Sequence, residues 1–283
     1  MITAKVIAST LAFTKGTANR IDTLQLTYPR FIHAELMTHR MFSRNAASSR
    51  AIPVATLLES LAREPVVPSS WGRNQAGMAA HQVFSEAEAE TLEGIWRDAA
   101  KSAVDSATKL MQAGVHKQVA NRLLEPFTHM TSVVTATEWD NFLSQRLALH
   151  PDGTPMAQPE MYLLACEVKK VLDGSLPNTS RLHLPYLTEA ERGDFWVTAA
   201  EKCLVSAARC ARVSTLRHDK KTWAEDIGLA IRLVTNGHMS PLEHPAVAGS
   251  DPHQFWGNFC GWRSLRKFYK GESVWTGDAV LDE

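Results

Sequence analysis

Between Thr38 and Pro53 the chain reads THRMFSRNAASSRAIP, with Arg40, Arg44 and Arg50 set among Ser43, Ser48, Ser49, Asn45 and His39 and no acid in the stretch. A solvated helix face interleaves Glu or Asp with its arginines. Serine and asparagine at this density also compete for the backbone groups a helix needs. Such a nest suits a phosphate: guanidinium forks clamp its oxygens, and hydroxyl or backbone N–H donors reach the remaining acceptor sites. An ordinary polar surface turn has the same composition, so the stretch alone leaves both readings open.

Further polar clusters could reach this nest only through the fold. NRLLEP offers Arg122, TEWDNFLSQRL sets Asn141 and Arg146 five residues apart, ARVS ends in Ser214, and GHMSPLEH carries His238, Ser240, Glu243 and His244. Each has a purely structural alternative. Arg122 could cap a helix C-terminus, Arg146 could pair with a local acid, and Gly237 could be an αL cap with Pro241 opening the next helix. The sequence holds no G-x-G-x-x-G, P-loop, C-x-x-C, H-E-x-x-H or G-x-S-x-G pattern, which argues against the common dinucleotide, zinc and serine-hydrolase sites. His238 and His244, six apart, do not share a helix face, and no metal site is expected.

The 283 residues suffice for a substantial core. Lys+Arg and Asp+Glu are 30 each, a balance unlike the basic excess of nucleic-acid binders, so no nucleic-acid partner is expected. No apolar run reaches membrane-spanning length, and MITAKVIASTLAF lacks the long apolar core of a secretory signal. Cys166, Cys203, Cys210 and Cys260 lie in apolar, helix-like contexts and read as reduced residues of a cytoplasmic protein, not as a disulfide frame.

The elements that must position these residues follow from periodicity and punctuation. IDTLQLTY alternates as a strand; RFIHAELMTHRMF reads as a buried helix leading into the polar nest. Residues 63–82, rich in Pro, Ser, Gly, Asn and Gln, should be an irregular loop and a candidate lid. Ser85 with Glu88 makes a capping box, and Leu92, Ile95, Trp96, Ala99, Ala103, Leu110 and Met111 recur at helical spacing behind it up to Gly114. VHKQVANRLLEP reads as a second, shorter helix and HMTSVVTATEW as a strand, with a helical EWDNFLSQRLAL behind it. PEMYLLACEVKKVLDG is a helix with Pro at its first position and Gly174 past its end. A connector follows, then the helical WVTAAEKCLVSAARCARV and AEDIGLAIRLVTNGH. Strands and helices mix without the regular alternation of a doubly wound sheet.

Taken together, the motifs resemble the flavin-dependent thymidylate synthases. H-R-x2-S-x-N-x2-S-x-R is similar to that family's R-H-R…S signature, here Thr38-His39-Arg40, then Ser48 and Arg50. NFLSQR with MAQPEM resembles its N-F-x-x-x-R and A-Q-x-E segments, and ARVS with GHMSPLEH its A-R-V-S and G-H-x-[ST]-P-F-E-H segments. In the family the last two precede the R-H-R motif, whereas here they follow it. The order reads as a circular permutation within one domain of 283 residues: a motif and arginine half at 1–173, a connector at 174–198 and a permuted half at 199–283.

The resemblance implies an α+β fold, a mixed sheet flanked by helices, assembled as a homotetramer. It implies an enzyme that makes dTMP from dUMP with methylene-tetrahydrofolate as carbon donor, FAD as hydride carrier and NADPH as reductant. By motif matching, Arg146 would be catalytic, polarising the pyrimidine; Ser48, Arg50 and Arg122 would hold the phosphate, with Ser49 and Glu35 close to the nucleotide. Thr38, His39, Arg40, Asn141, Ser214, His238 and Ser240 would contact FAD. The chain departs from the family at Thr38 (Arg), Ala46 (Glu), Ala51 (Tyr) and Glu35 (Gln). These departures keep two alternatives open: methylation or hydroxymethylation of another pyrimidine nucleotide such as dCMP, and a nucleotide- and flavin-binding relative without catalysis.

Overall fold

The computed structural model describes residues 1–213 and 221–269. Strands β1 (Thr3–Thr14) and β2 (Thr17–Pro29) form a long antiparallel hairpin. Its two-residue turn holds Lys15 at φ 50° and Gly16 at φ 82°, the positive-φ pair whose twist matches that of the flanking strands. A 3-10 turn at Arg30–Ile32 leads into α1 (His33–Leu36) and then β3 (Ser43–Ala46). The buried helix expected over RFIHAELMTHRMF is therefore confined to its first half. Its second half, residues 37–42, is a turn, and the strand directly after it forms because Ser43–Ala46 finds a ladder on β4 (His129–Ala136), pairing Ser43 with Thr135 and Ala46 with Ser132.

Helix α2 (Val54–Arg63) has no counterpart among the expected elements. The loop beyond it is irregular, as its composition implies, with one bridge between Gly72 and Val83. Helix α3 (Glu86–Gln112) opens on the expected Ser85–Glu88 capping box and stops before Gly114, at φ 79°. Its apolar stripe is only partly covered: Ala100 and Ala107 are buried, while Ile95 is 64% exposed. The expected second helix is broken into α4 (Lys117–Ala120) and 3-10 turns at Asn121–Leu123 and Glu125–Phe127. Pro126 cannot continue a helix, and the Asn121 side chain is committed to a neighbouring loop.

Then come α5 (Asp140–Arg146) and α6 (Pro159–Asp173), the latter with Pro at its first position. The connector carries β5 (Asn178–Thr179), β6 (Leu182–His183) and α7 (Glu189–Gly193). Helices α8 (Ala199–Arg212) and α9 (Trp223–Thr235) each start on a capping box, Thr198–Glu201 and Thr222–Glu225. A 3-10 turn at Ser240–Glu243 precedes β7 (Ala246–Ala248), β8 (Phe255–Trp256), β9 (Phe259–Cys260) and β10 (Trp262–Ser264).

The main sheet runs β3-β4-β2-β1-β5, antiparallel except for the parallel β1–β5 edge, so it is a mixed sheet flanked by helices. The period-2 pattern of β2 explains its two faces. Leu24, Leu26 and Tyr28 pack with Met161, Leu164, Ala165 and Val168 of α6 and with Phe142 of α5. The opposite face carries a buried polar chain: Thr10 Oγ1 to His183 Nδ1 (2.8 Å), His183 Nε2 to Thr23 Oγ1 (2.7 Å), Thr23 Oγ1 to Thr135 Oγ1 (2.6 Å) and Thr135 Oγ1 to His244 Nδ1 (2.8 Å). This chain ties the sheet to the connector and to the C-terminal segment. No helix among the described residues is long and apolar enough to cross a membrane.

Candidate functional site

The turn between α1 and β3 carries Thr38, His39 and Arg40, and Arg44 fixes it from the strand that follows. Arg44 Nη1 donates to the carbonyls of Met37 (2.9 Å) and His39 (3.1 Å), and Thr38 Oγ1 donates to the carbonyl of Glu35 (2.7 Å). His39 is buried edge-on against Phe142, ring centroids 4.9 Å apart. Arg146, the last residue of α5, reaches it: Nε donates to His39 Nε2 at 3.0 Å, and Nη1 forms an ion pair with Glu35. Desolvation, with the Arg146 and Arg44 charges nearby, lowers the His39 pKa to about 4. The imidazole is therefore neutral near pH 7, and because Nε2 accepts, its proton lies on Nδ1. Glu35, His39 and Arg146, distant in sequence, form one half-buried constellation.

A second constellation surrounds the serine- and arginine-bearing loop at 48–52. Asn121, fully buried, donates from Nδ2 to the carbonyls of Ser49 (2.7 Å) and Ile52 (3.0 Å). Lys117 Nζ donates to the Ala51 carbonyl (3.0 Å). The loop is thus clamped from α4 and the turn behind it. Ser49 Oγ donates to Glu125 Oε1 at 2.5 Å, and Arg122 and Arg30 form ion pairs with the same oxygen at 2.8 and 3.0 Å. The nest is acid-free in sequence but not in space, since Glu125 supplies a carboxylate from the neighbouring turn. Ser48 is half-buried and Arg50 exposed, and Arg50 makes no ion pair among the described residues. Sequence reasoning missed Arg30, Lys117, Asn121 and Glu125. The last two stand inside the quoted NRLLEP, whereas nothing in the sequence distinguishes Arg30.

The C-terminal motifs reach the same edge of the sheet. The Ser240–Glu243 turn packs on β3 and α8, Asn45 Nδ2 donates to the carbonyl of Cys210 at 3.0 Å, and His244 joins Thr135 of β4. Thr38, Arg40, Asn141, His238 and Ser240 are exposed; Ser214 lies outside the described residues. A cavity of about 230 Å³ beside β3 is lined by Ser43, Glu243, Trp256, Asn258, Arg266 and Lys267. A larger one, about 430 Å³, lies under the 64–69 segment and includes Ser69, His129, Glu160 and Cys166 but none of the expected site residues. The candidate lid is anchored there: Ser69 N and Oγ donate to the buried Glu160 Oε1 at 2.6 and 2.8 Å, and Trp96 Nε1 donates to the Val66 carbonyl at 2.8 Å. Burial pushes the Cys203 thiol up to about 12 and raises that of Cys210 as well, which makes both poor sources of a thiolate.

The profile of the family described as thymidylate synthase complementing protein matches residues 22–178, a span that includes Glu35, His39, Arg50, Arg122 and Arg146. The C-terminal motifs lie beyond it. No curated protein matches the chain. Among solved structures, a UMP/dUMP methylase PolB from Streptomyces cacaoi bound with 5-Br UMP is similar at 17% identity and a TM-score of 0.48, over 62% of this chain and 89% of that one. The same methylase bound with 5-Br dUMP is similar at 14% identity and a TM-score of 0.47, over 62% and 90% of the two chains. With the profile spanning more than half of its length, the chain belongs to the thymidylate synthase complementing protein family, a family of flavin-dependent, thymidylate synthase-like methyltransferases.

Proposed function

We propose that the protein transfers a one-carbon unit from methylene-tetrahydrofolate to carbon 5 of dUMP, giving dTMP, with FAD reduced by NADPH as the hydride source. The observation that carries this reading is the Glu35–His39–Arg146 constellation, which strand β3 joins to the clamped serine and arginine loop. Carbon 5 of uracil is a poor nucleophile, and a positioned guanidinium stabilises charge as it develops on the ring. Arg146 would do this at N3 and O4. Its Nε is held by the neutral His39 and one Nη1 hydrogen by Glu35, so the remaining N–H groups are pre-aimed and need no reorganisation at the moment of reaction.

Ser48, Ser49 and Arg50, on a loop held by Asn121 and Lys117, would take the nucleotide phosphate together with Arg122 of the turn beside them. Thr38, His39, Arg40, Asn141, His238 and Ser240, with Ser214, would hold FAD. The donor set fits such a cofactor, because Arg40, Asn141 and Ser240 are exposed donors suited to a diphosphate. When bound, FAD supplies the hydride that completes the methyl group. The packing of the Ser240–Glu243 turn on β3 supports the permuted reading, in which segments far apart in the chain form one site. The homotetramer is carried by the family resemblance alone.

One observation favours a second reading. Where the family commonly has Gln, Glu35 puts a carboxylate, an acceptor only, beside Arg146. A cytosine ring offers an amino donor to such an acceptor, which would make dCMP the substrate and a methyl or hydroxymethyl group the product. Titration of the flavin-loaded protein with dUMP, dCMP and dTMP, read by flavin absorbance, tests the assignment. The proposal expects dUMP to perturb the spectrum at the lowest concentration. A response to a purine nucleotide and to none of these pyrimidines would refute it.

A further inference from the structure

Donors from three separate elements converge on a single atom. Ser49 of the loop before α2 and Arg122 of the 3-10 turn after α4 donate to Glu125 Oε1 at 2.5 and 2.8 Å, and Arg30 of the turn after β2 forms an ion pair with the same oxygen at 3.0 Å. Arg30 and Glu125 keep only 19% and 20% of their side-chain surface exposed, whereas Arg122 keeps 53%, so water reaches the cluster mainly from the Arg122 side. Among the described residues no hydrogen bond falls on Glu125 Oε2. An ionised carboxylate spreads its lone pairs over two oxygens, so two hydrogen bonds and a second guanidinium crowded onto one of them are poorly matched to it. A phosphoryl group presents three strong acceptor oxygens and nearly two negative charges. The donors fit that group better than the acid they hold.

We propose that Glu125 is a resident stand-in for the nucleotide phosphate. In the free protein it keeps Arg30, Arg122 and Ser49 gathered. On binding, the phosphoryl group takes these donors over, so Arg30 becomes a phosphate ligand that motif matching does not supply, and Glu125 sets affinity by competition. The inference rests on the nucleotide reading above and gives it a mechanism of selection: the acid opposes a weakly charged ligand and yields to a dianion. Two carboxylate-to-phosphate features follow from the chemistry. Removing the charge of Glu125 should strengthen phosphate binding, and removing Arg30 should weaken it.

The test uses the full chain with inorganic phosphate, dUMP and deoxyuridine as probes, read by calorimetric titration. Glu125→Gln keeps the size of the side chain and an acceptor oxygen while removing the charge. It should bind inorganic phosphate and dUMP roughly tenfold more tightly, the scale of losing one like-charge neighbour at a partly exposed site, with deoxyuridine unchanged. Arg30→Gln should weaken phosphate and dUMP by a similar factor. Equal or weaker phosphate binding by Glu125→Gln, or unchanged binding by Arg30→Gln, overturns the proposal. If Glu125→Gln does not fold, Glu125→Asp, which withdraws the oxygen by one methylene, should also tighten phosphate binding, and weaker binding counts against it. Failure of the wild-type protein to prefer dUMP over other nucleotides would strike the substrate assignment alone, because the phosphate arm reads the stand-in independently.

Discussion

At the residue scale Arg146 and Arg50 stand in different surroundings. Arg146 is fixed by His39 and Glu35. Arg146→Lys should keep the fold and sharply lower turnover, because an ammonium cannot present a planar fork to two ring atoms. NADPH-driven flavin reduction should persist, and nucleotide-dependent flavin oxidation at the parental rate would remove Arg146 from the reaction. Arg50 is exposed with no ion pair among the described residues, so its loss leaves no buried charge behind. Arg50→Ala should weaken dUMP binding about 10- to 150-fold, the equivalent of about 1.5–3 kcal/mol for a charged hydrogen bond. Flavin affinity should barely move. His39, neutral above about pH 4, should keep its contact with Arg146 through the neutral range, so no step in dUMP affinity near pH 6.5 is expected from it.

At the element scale the clamp on the 48–52 loop is the feature most open to mutation. Asn121→Ala removes both donors to Ser49 and Ile52 and should cost about 1–3 kcal/mol, the scale of leaving buried carbonyls unpaired. Urea unfolding would read the loss, and dUMP affinity should fall with it; a stable variant with full affinity would show the clamp to be dispensable. Local signals made much of this scaffold legible. The Ser85–Glu88 capping box starts α3, the alternation of Leu24, Leu26 and Tyr28 marks one face of β2, and Pro159 and Gly174 bracket α6. Asn141 and Arg146 share the expected helix α5. What stayed hidden depends on partners far away in the chain. Ser43–Ala46 is a strand only because β4 offers its edge, and no local pattern joins Glu35 to Arg146 or Glu125 to Arg30 and Ser49. The nest around Arg50 is visible as composition, but the acid facing it arrives through tertiary contact.

At the scale of the whole molecule the buried Thr10–His183–Thr23–Thr135–His244 chain joins the sheet to the connector and the C-terminal segment. Burial lowers both imidazoles to about 3, against about 6.5 in an unfolded chain. Below about pH 6.5 the unfolded state binds two protons that the native state refuses. Stability therefore falls as the pH drops toward 3, with a limiting slope of about 2.7 kcal/mol per pH unit from these two groups. Their contribution is level above pH 6.5. Replacing His183 and His244 together with apolar residues should flatten the acid limb of a denaturation-against-pH curve, and an unchanged limb would assign acid lability to other groups. On the proposed reading the C-terminal segment carries flavin contacts, through the Ser240–Glu243 turn that packs on β3, and deletion of residues 200–283 should abolish FAD binding. The reaction itself is tested most directly by incubating the purified protein with dUMP, methylene-tetrahydrofolate, FAD and NADPH and weighing the nucleotide product by mass spectrometry. The account predicts dUMP heavier by one methylene unit and co-eluting with dTMP, formed only when all four components are present. Recovery of unaltered dUMP from a flavin-loaded, folded protein, or conversion of dCMP in its place, would contradict it.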